Sequence, residues 1–190
     1  MTIATVTIAT LRKSIRSSTY PSQYHLTGFS WQGNYYYDKC QPMGASSSCK
    51  IFERFSDSLK HILTTVHHIK NVVKVLDDFL FTSDNENECR RALNDFLQTC
   101  TILNIPVAHH KTVYPTNCLT FLGIQLDSKR MVASIPMEKV VAYRDDVRKI
   151  LLNEKASARE IKSMVGKLQF CTTIIPAGRC FLRRLYNLLI

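Results

Sequence analysis

The sequence predicts an α+β fold: an antiparallel sheet with helices on one face, followed by a small helical unit. Three observations carry that prediction. Ile51, Phe52, Phe55, Leu59, Ile62, Leu63 and Val66 recur at three- and four-residue steps, the repeat of a helix with one buried stripe. Two short β-prone runs, 72–76 and 79–81, flank Asp77 and Asp78 in a hairpin pattern. Beyond residue 130 the chain reads as helical and basic.

Taken in order, residues 25–31 and 35–37 read as two short strands joined by a tight turn, where Gly33 and Asn34 tolerate positive φ. Pro42 and Gly44 break the chain. Ser46, Ser47 and Ser48 then offer hydroxyl caps for a helix over about residues 49–66. The hairpin at 72–81 follows, with both carboxylates expected at its tip. Asp84 or Asn85 caps a second helix whose inner face carries Cys89, Leu93, Phe96, Leu97 and Cys100. It ends near Pro106, since a proline excludes the helical conformation from the residue before it. Residues 121–127 are a further strand-pair candidate in which Gly123 permits a bend.

The remainder divides into helices by its caps. Pro136 suits the first turn of a helix over 138–152. Ser157 and Glu160 form a capping box for a helix reaching about Cys171. Pro176, Ala177 and Gly178 make a turn before a last helix at 179–189, which exposes Arg179, Arg183 and Arg184 around Phe181, Leu182 and Leu185.

Composition bounds the function. The 190 residues hold 25 Lys and Arg against 15 Asp and Glu, a net charge of +10 that points to a polyanionic partner, although a solvated basic surface gives the same number. No apolar run approaches the roughly 18–20 residues needed to span a bilayer, so no membrane partner is expected. Seven cysteines, odd in number and never paired as CxxC, indicate a reducing intracellular compartment, cytoplasmic or nuclear, without a disulfide framework. His67-His68 and His109-His110 lack a partner at zinc-ligand spacing. Residues 1–37 contain no acidic side chain. Residues 1–20 are left as an unassigned leader. A transit peptide fits them poorly because Thr and β-branched residues make a weak amphipathic helix.

Two carboxylates at a hairpin turn are oxygen ligands suited to Mg²⁺, and paired metals about 4 Å apart serve phosphoryl transfer. An acidic turn is also, commonly, only solvated. The second such pair, Asp145-Asp146, lies in a helical pattern and reads as a solvated face.

The neighbours of the hairpin resemble a family. Residues 35–52, YYYDKCQPMGASSSCKIF, look like the template- and nucleotide-contacting motif of retroelement reverse transcriptases. Val75-Leu76-Asp77-Asp78 resembles their catalytic hairpin, with Val75 at the usual aromatic position. Residues 121–127 are similar to the primer-grip turn, and residues 166–170 and 176–185 to the thumb of retrotransposon polyproteins. The resemblance implies a palm over 21–130 with the fingers largely missing, a helical thumb-like region over 131–190, and no ribonuclease H segment. It implies Asp77 and Asp78 as metal-binding catalytic residues with Mg²⁺, and Lys111 as the lysine that protonates the leaving pyrophosphate. A solvated loop lysine is the plainer reading of Lys111. Met43, Gly44 and Ser46 would meet nucleotide and template, and Leu122, Gly123 and Ile124 would hold the primer terminus. Lys167, Arg179, Arg183 and Arg184 would follow the nucleic-acid backbone. The implied partners are an RNA template, a DNA primer and a second chain supplying fingers.

One departure stands out. The family supplies a further metal-binding Asp from a strand upstream of the Gly33 turn, and nothing before Asp38 is acidic. The expectation is therefore a reverse-transcriptase-like palm and thumb with polymerase activity absent or impaired. The alternative is a non-enzymatic basic module that binds nucleic acid.

Overall fold

A computed structural model describes residues 1–7, 21–38, 46–153 and 155–189. They form two compact units, 1–117 and 118–190.

The first unit is built on a four-stranded antiparallel sheet in the order β4-β5-β1-β6, with β1 at Thr2–Thr7, β4 at Val72–Val75, β5 at Asp78–Ser83 and β6 at Val113–Thr116. The residues left as a leader thus include a central strand. Its Thr, Ile and Val content suits a pleated surface buried on both faces, and residues 3–6 are buried. Helix α1, Ser46–Thr65, and helix α2, Glu86–Ile102, supply the apolar face that covers the sheet. Strand alternation puts Ala4, Val6, Val72, Phe79 and Phe81 on one face, where they join Leu59 and Leu63 of α1 and Leu93 and Phe96 of α2 in a single core. Asn85 caps α2 by accepting from the Asn87 amide at 2.8 Å. A separate two-stranded ribbon, β2 (Gly28–Trp31) with β3 (Asn34–Tyr37), turns through Gln32 and Gly33 at φ of 50° and 78°. The bend therefore sits one residue earlier than expected. Phe29 stacks on Tyr36, yet both remain exposed.

Lys74 is the one charge on the core face of edge strand β4. Its side chain is 6% exposed, and its ammonium meets Glu53 and, at 2.8 Å, Asp57 of α1. Burial depresses its pKa, but hydrogen bonds and charges from Asp57 and Glu53 outweigh that, leaving it above the ordinary 10.5. A folded pKa raised above the unfolded one stabilises at pH below 10.5, and the contribution is lost as pH rises through the folded value. Lys74→Met is expected to cost about 1–2 kcal/mol at pH 7, because its half-exposed partners regain water. In urea titrations the difference between wild type and variant should shrink above pH 10.5; a difference constant with pH excludes the linkage.

The buried cysteines act as core residues. Burial, helped by the charge of Glu86, raises the Cys89 thiol pKa, and burial alone pushes Cys100 up to about 12.

The second unit opens with a three-stranded antiparallel sheet, β7 (Cys118–Phe121), β8 (Ile124–Asp127) and β9 (Val132–Ser134). Helices α3 (Met137–Asn153), α4 (Ala158–Cys171) and α5 (Arg179–Asn187) follow. The boundary between the two compact units falls between Asn117 and Cys118, where these strands begin a sheet of their own. Ser157 and Glu160 form the expected capping box on α4. Lys167 of α4 pairs with Asp146 of α3 at 2.5 Å, and Tyr186 of α5 donates to Gln169 of α4 at 3.0 Å. Leu119, Met164, Val165 and Leu182 are its buried apolar residues.

Candidate functional site

In the first unit, the candidate acidic residues lie where β4 turns into β5. Val75 pairs with Asp78, so the two turn residues are Leu76 and Asp77. Asp77 lies at the bend, and Asp78 is the first residue of β5 rather than part of the tip. Leu76 takes a positive φ of 52°, a conformation that costs a branched residue about 1–3 kcal/mol unless the surroundings hold it. The hold comes from α1, where fully buried Ser56 donates to the Leu76 carbonyl at 2.6 Å.

Asp78 also faces β1. The register sets it opposite Thr7, whose hydroxyl donates to Asp78 Oδ1 at 2.6 Å. Both point to the sheet face away from Phe79. The Thr7 carbonyl in turn accepts from the Ala108 amide at 2.9 Å. The 3-10 turn His109–Lys111 follows directly, and the Lys111 amide donates to the Ala108 carbonyl at 2.8 Å. The fold thereby gathers Asp77, Asp78, Thr7 and the Lys111 turn at one end of the sheet. Met43 and Gly44 lie outside the described residues, and Ser46 opens α1.

Two positive ions close together need several anionic oxygens between them. Asp77 and Asp78 provide two carboxylates, and one of those already accepts from Thr7. Among the described residues no group of three or more His, Cys, Asp or Glu stands ready to hold a metal. Residues 8–20 and 39–45 contain no Asp or Glu. These residues do not fit a two-metal centre.

In the second unit, β7 and β8 turn through Leu122 and Gly123, at φ of 49° and 79°. Positive φ at both central positions is the turn that matches strand twist, and it explains the glycine. Ile124 begins β8. A Cβ at Gly123 would stand 3.4 Å from Phe170 Cζ and would collide with Lys139 Nζ. Arg179, Arg183 and Arg184 are exposed on α5, anchored by buried Leu182, whereas Lys167 is held in its pair with Asp146. This unit carries thirteen Lys and Arg against six Asp and Glu, so 13 − 6 gives +7 of the chain's +10.

Sequence reasoning did not single out Thr7, Ser56 or Lys139. The β-propensity of residues 2–7 was the available signal for Thr7. Nothing local marks the other two.

No helix among the described residues is long and apolar enough to cross a membrane. Comparison with solved structures finds the same fold in foamy viral protease-reverse transcriptase. In complex with RNA/DNA hybrid, that protein aligns with a TM-score of 0.74 over 99% of this chain and 24% of its own, at 16% identity. In complex with double-stranded DNA, the TM-score is 0.76 over 99% and 30% of the two chains, at 17% identity. The native prototype foamy virus protein aligns at 0.58 over 88% and 23%, with 18% identity. The chain therefore spans about a quarter to a third of the proteins it matches. The sequence model described as "Reverse transcriptase (RNA-dependent DNA polymerase)" matches residues 3–126, from β1 through the acidic hairpin and into β8. On a match that covers most of the chain, this protein belongs to the reverse transcriptase family.

Proposed function

We propose that this chain is a nucleic-acid-binding palm and thumb of a retroelement reverse transcriptase in which template-directed nucleotidyl transfer is absent or severely impaired. One observation carries the reading. The strand beside the Asp77-Asp78 hairpin sets Thr7, not a carboxylate, against Asp78, and no acidic residue occurs in positions 1–37. Reverse transcriptases as a family use a divalent metal, typically Mg²⁺. Stabilising charge on the transferring phosphoryl group is most of what such a site contributes, so a missing anion that holds the metals removes catalysis before it removes the fold. β-pairing and the Ser56 bond hold Asp77 and Asp78, and the Ala108 amide on the Thr7 carbonyl holds the Lys111 turn.

Binding has separate support. The second unit concentrates positive charge and presents three arginines on one short helix, which suits phosphate contacts that are largely independent of sequence. The foamy viral relative is described with RNA/DNA hybrid, and an RNA template with a DNA primer is the matching partner here. Residues 122–124 would meet the primer end, and residues 43, 44 and 46 the template and nucleotide.

Primer extension on an RNA template with Mg²⁺ or Mn²⁺ tests the catalytic half. Wild type and Asp77→Ala should both give only background product. Robust synthesis by wild type that Asp77→Ala abolishes would refute the proposal.

A further inference from the structure

Lys139 links the β7–β8 turn to the helices behind it. Lys139, in the first turn of α3, is half-buried and donates from Nζ to the Gly123 carbonyl at 3.3 Å. The same ammonium lies 4.8 Å from the ring centroid of Phe170 on α4. A lysine over an aromatic face is held by the ring's quadrupole, and partial burial strengthens that attraction. Among the described residues no carboxylate stands within ion-pair distance of Lys139, and the ammonium rests on the carbonyl and the ring. Gly123 completes the arrangement: it supplies the positive φ, and its missing side chain leaves the space that Nζ occupies.

We infer that Lys139 is a positioning residue for the primer-grip turn, locking Leu122 and Gly123 to α3 and α4 so that the turn meets a nucleic-acid duplex in one orientation. The inference rests on the duplex-binding reading above and adds a residue to it. A two-residue turn with exposed Leu122 at its tip has little packing of its own. Its orientation therefore comes from what grips its backbone. Because Nζ is committed to Gly123 and Phe170, Lys139 acts through the turn and not as a phosphate contact.

Three measurements on the full chain decide this, with Lys139→Met removing the charge and Lys139→Arg keeping it. Amide exchange at residues 122–124 in the free protein should accelerate about tenfold in Lys139→Met, as expected when a local opening loses its restraint. It should return to within about threefold of wild type in Lys139→Arg, which retains both the cation–π contact and a donor. Affinity for an RNA–DNA hybrid should fall about tenfold in Lys139→Met, while the slope of log affinity against log salt stays that of wild type. A slope reduced by about one would overturn the inference, since Lys139 would then be neutralising a phosphate itself. Unchanged exchange in Lys139→Met would overturn it as well. If wild type fails to bind hybrid at all, the duplex reading fails and exchange alone decides the clamp: acceleration upholds it and no change sinks it.

Discussion

Phe96→Ala is expected to destabilise the first unit by about 3–5 kcal/mol, the range for deleting a fully buried aromatic ring and leaving a cavity behind. Phe96 is 0% exposed and joins the two layers of the core. Its ring lies 4.8 Å from that of Phe79 and 5.6 Å from that of Phe81, the paired inward residues of β5. Aromatic pairs in such geometries add about 0.5–1.5 kcal/mol beyond the area they bury. Urea unfolding followed by circular dichroism measures the loss as a lower midpoint. Phe29→Ala, on the exposed ribbon, is the control and should shift the midpoint by less than about 0.5 kcal/mol. A cost below about 1 kcal/mol at Phe96 would mean that α2 does not pack on the sheet as described. The loss reaches the hairpin too, because β5 carries Asp78 at its first position.

The second large effect concerns binding. Replacing Arg183 and Arg184 together with alanine should weaken the protein on an RNA–DNA hybrid by about tenfold or more near 0.1 M salt, and should flatten the salt slope by about two. Both side chains are exposed on α5, and Leu182 beside them is the buried anchor that orients the helix. The substitutions therefore remove charge without opening the core. Asp77→Ala, in the other unit, should leave affinity and slope unchanged. Titration of a labelled hybrid at several salt concentrations reads both quantities. Equal slopes for wild type and the double variant would remove α5 from the binding surface, and weakened binding in Asp77→Ala would place the hairpin within it.

The local elements were legible because their signals are local. The apolar repeat of α1, the Ser157–Glu160 box on α4 and the proline after α2 each act within a few residues, where sequence and conformation are tightly coupled. The hairpin at Asp77 was legible in the same way. Its details were not: Asp78 sits in the strand because Val75 and Thr7 both pair with it, and Thr7 is 71 residues away. The same distance hid β1, whose Thr-Ile-Ala-Thr-Val-Thr run reads as a leader until a strand pairs on each side.

What the amino-acid sequence determined alone was the helices and the acidic hairpin, the excess of positive charge, and the lack of any acid before Asp38. What only the tertiary structure decided was which elements meet. It made residues 2–7 the centre of the sheet, put a threonine hydroxyl against Asp78, tied Leu76 to buried Ser56, and laid Lys139 over Gly123. Helix caps and turns are written within a few residues, whereas strand partners and side-chain clamps are chosen by the packing of the whole chain, which no short stretch encodes.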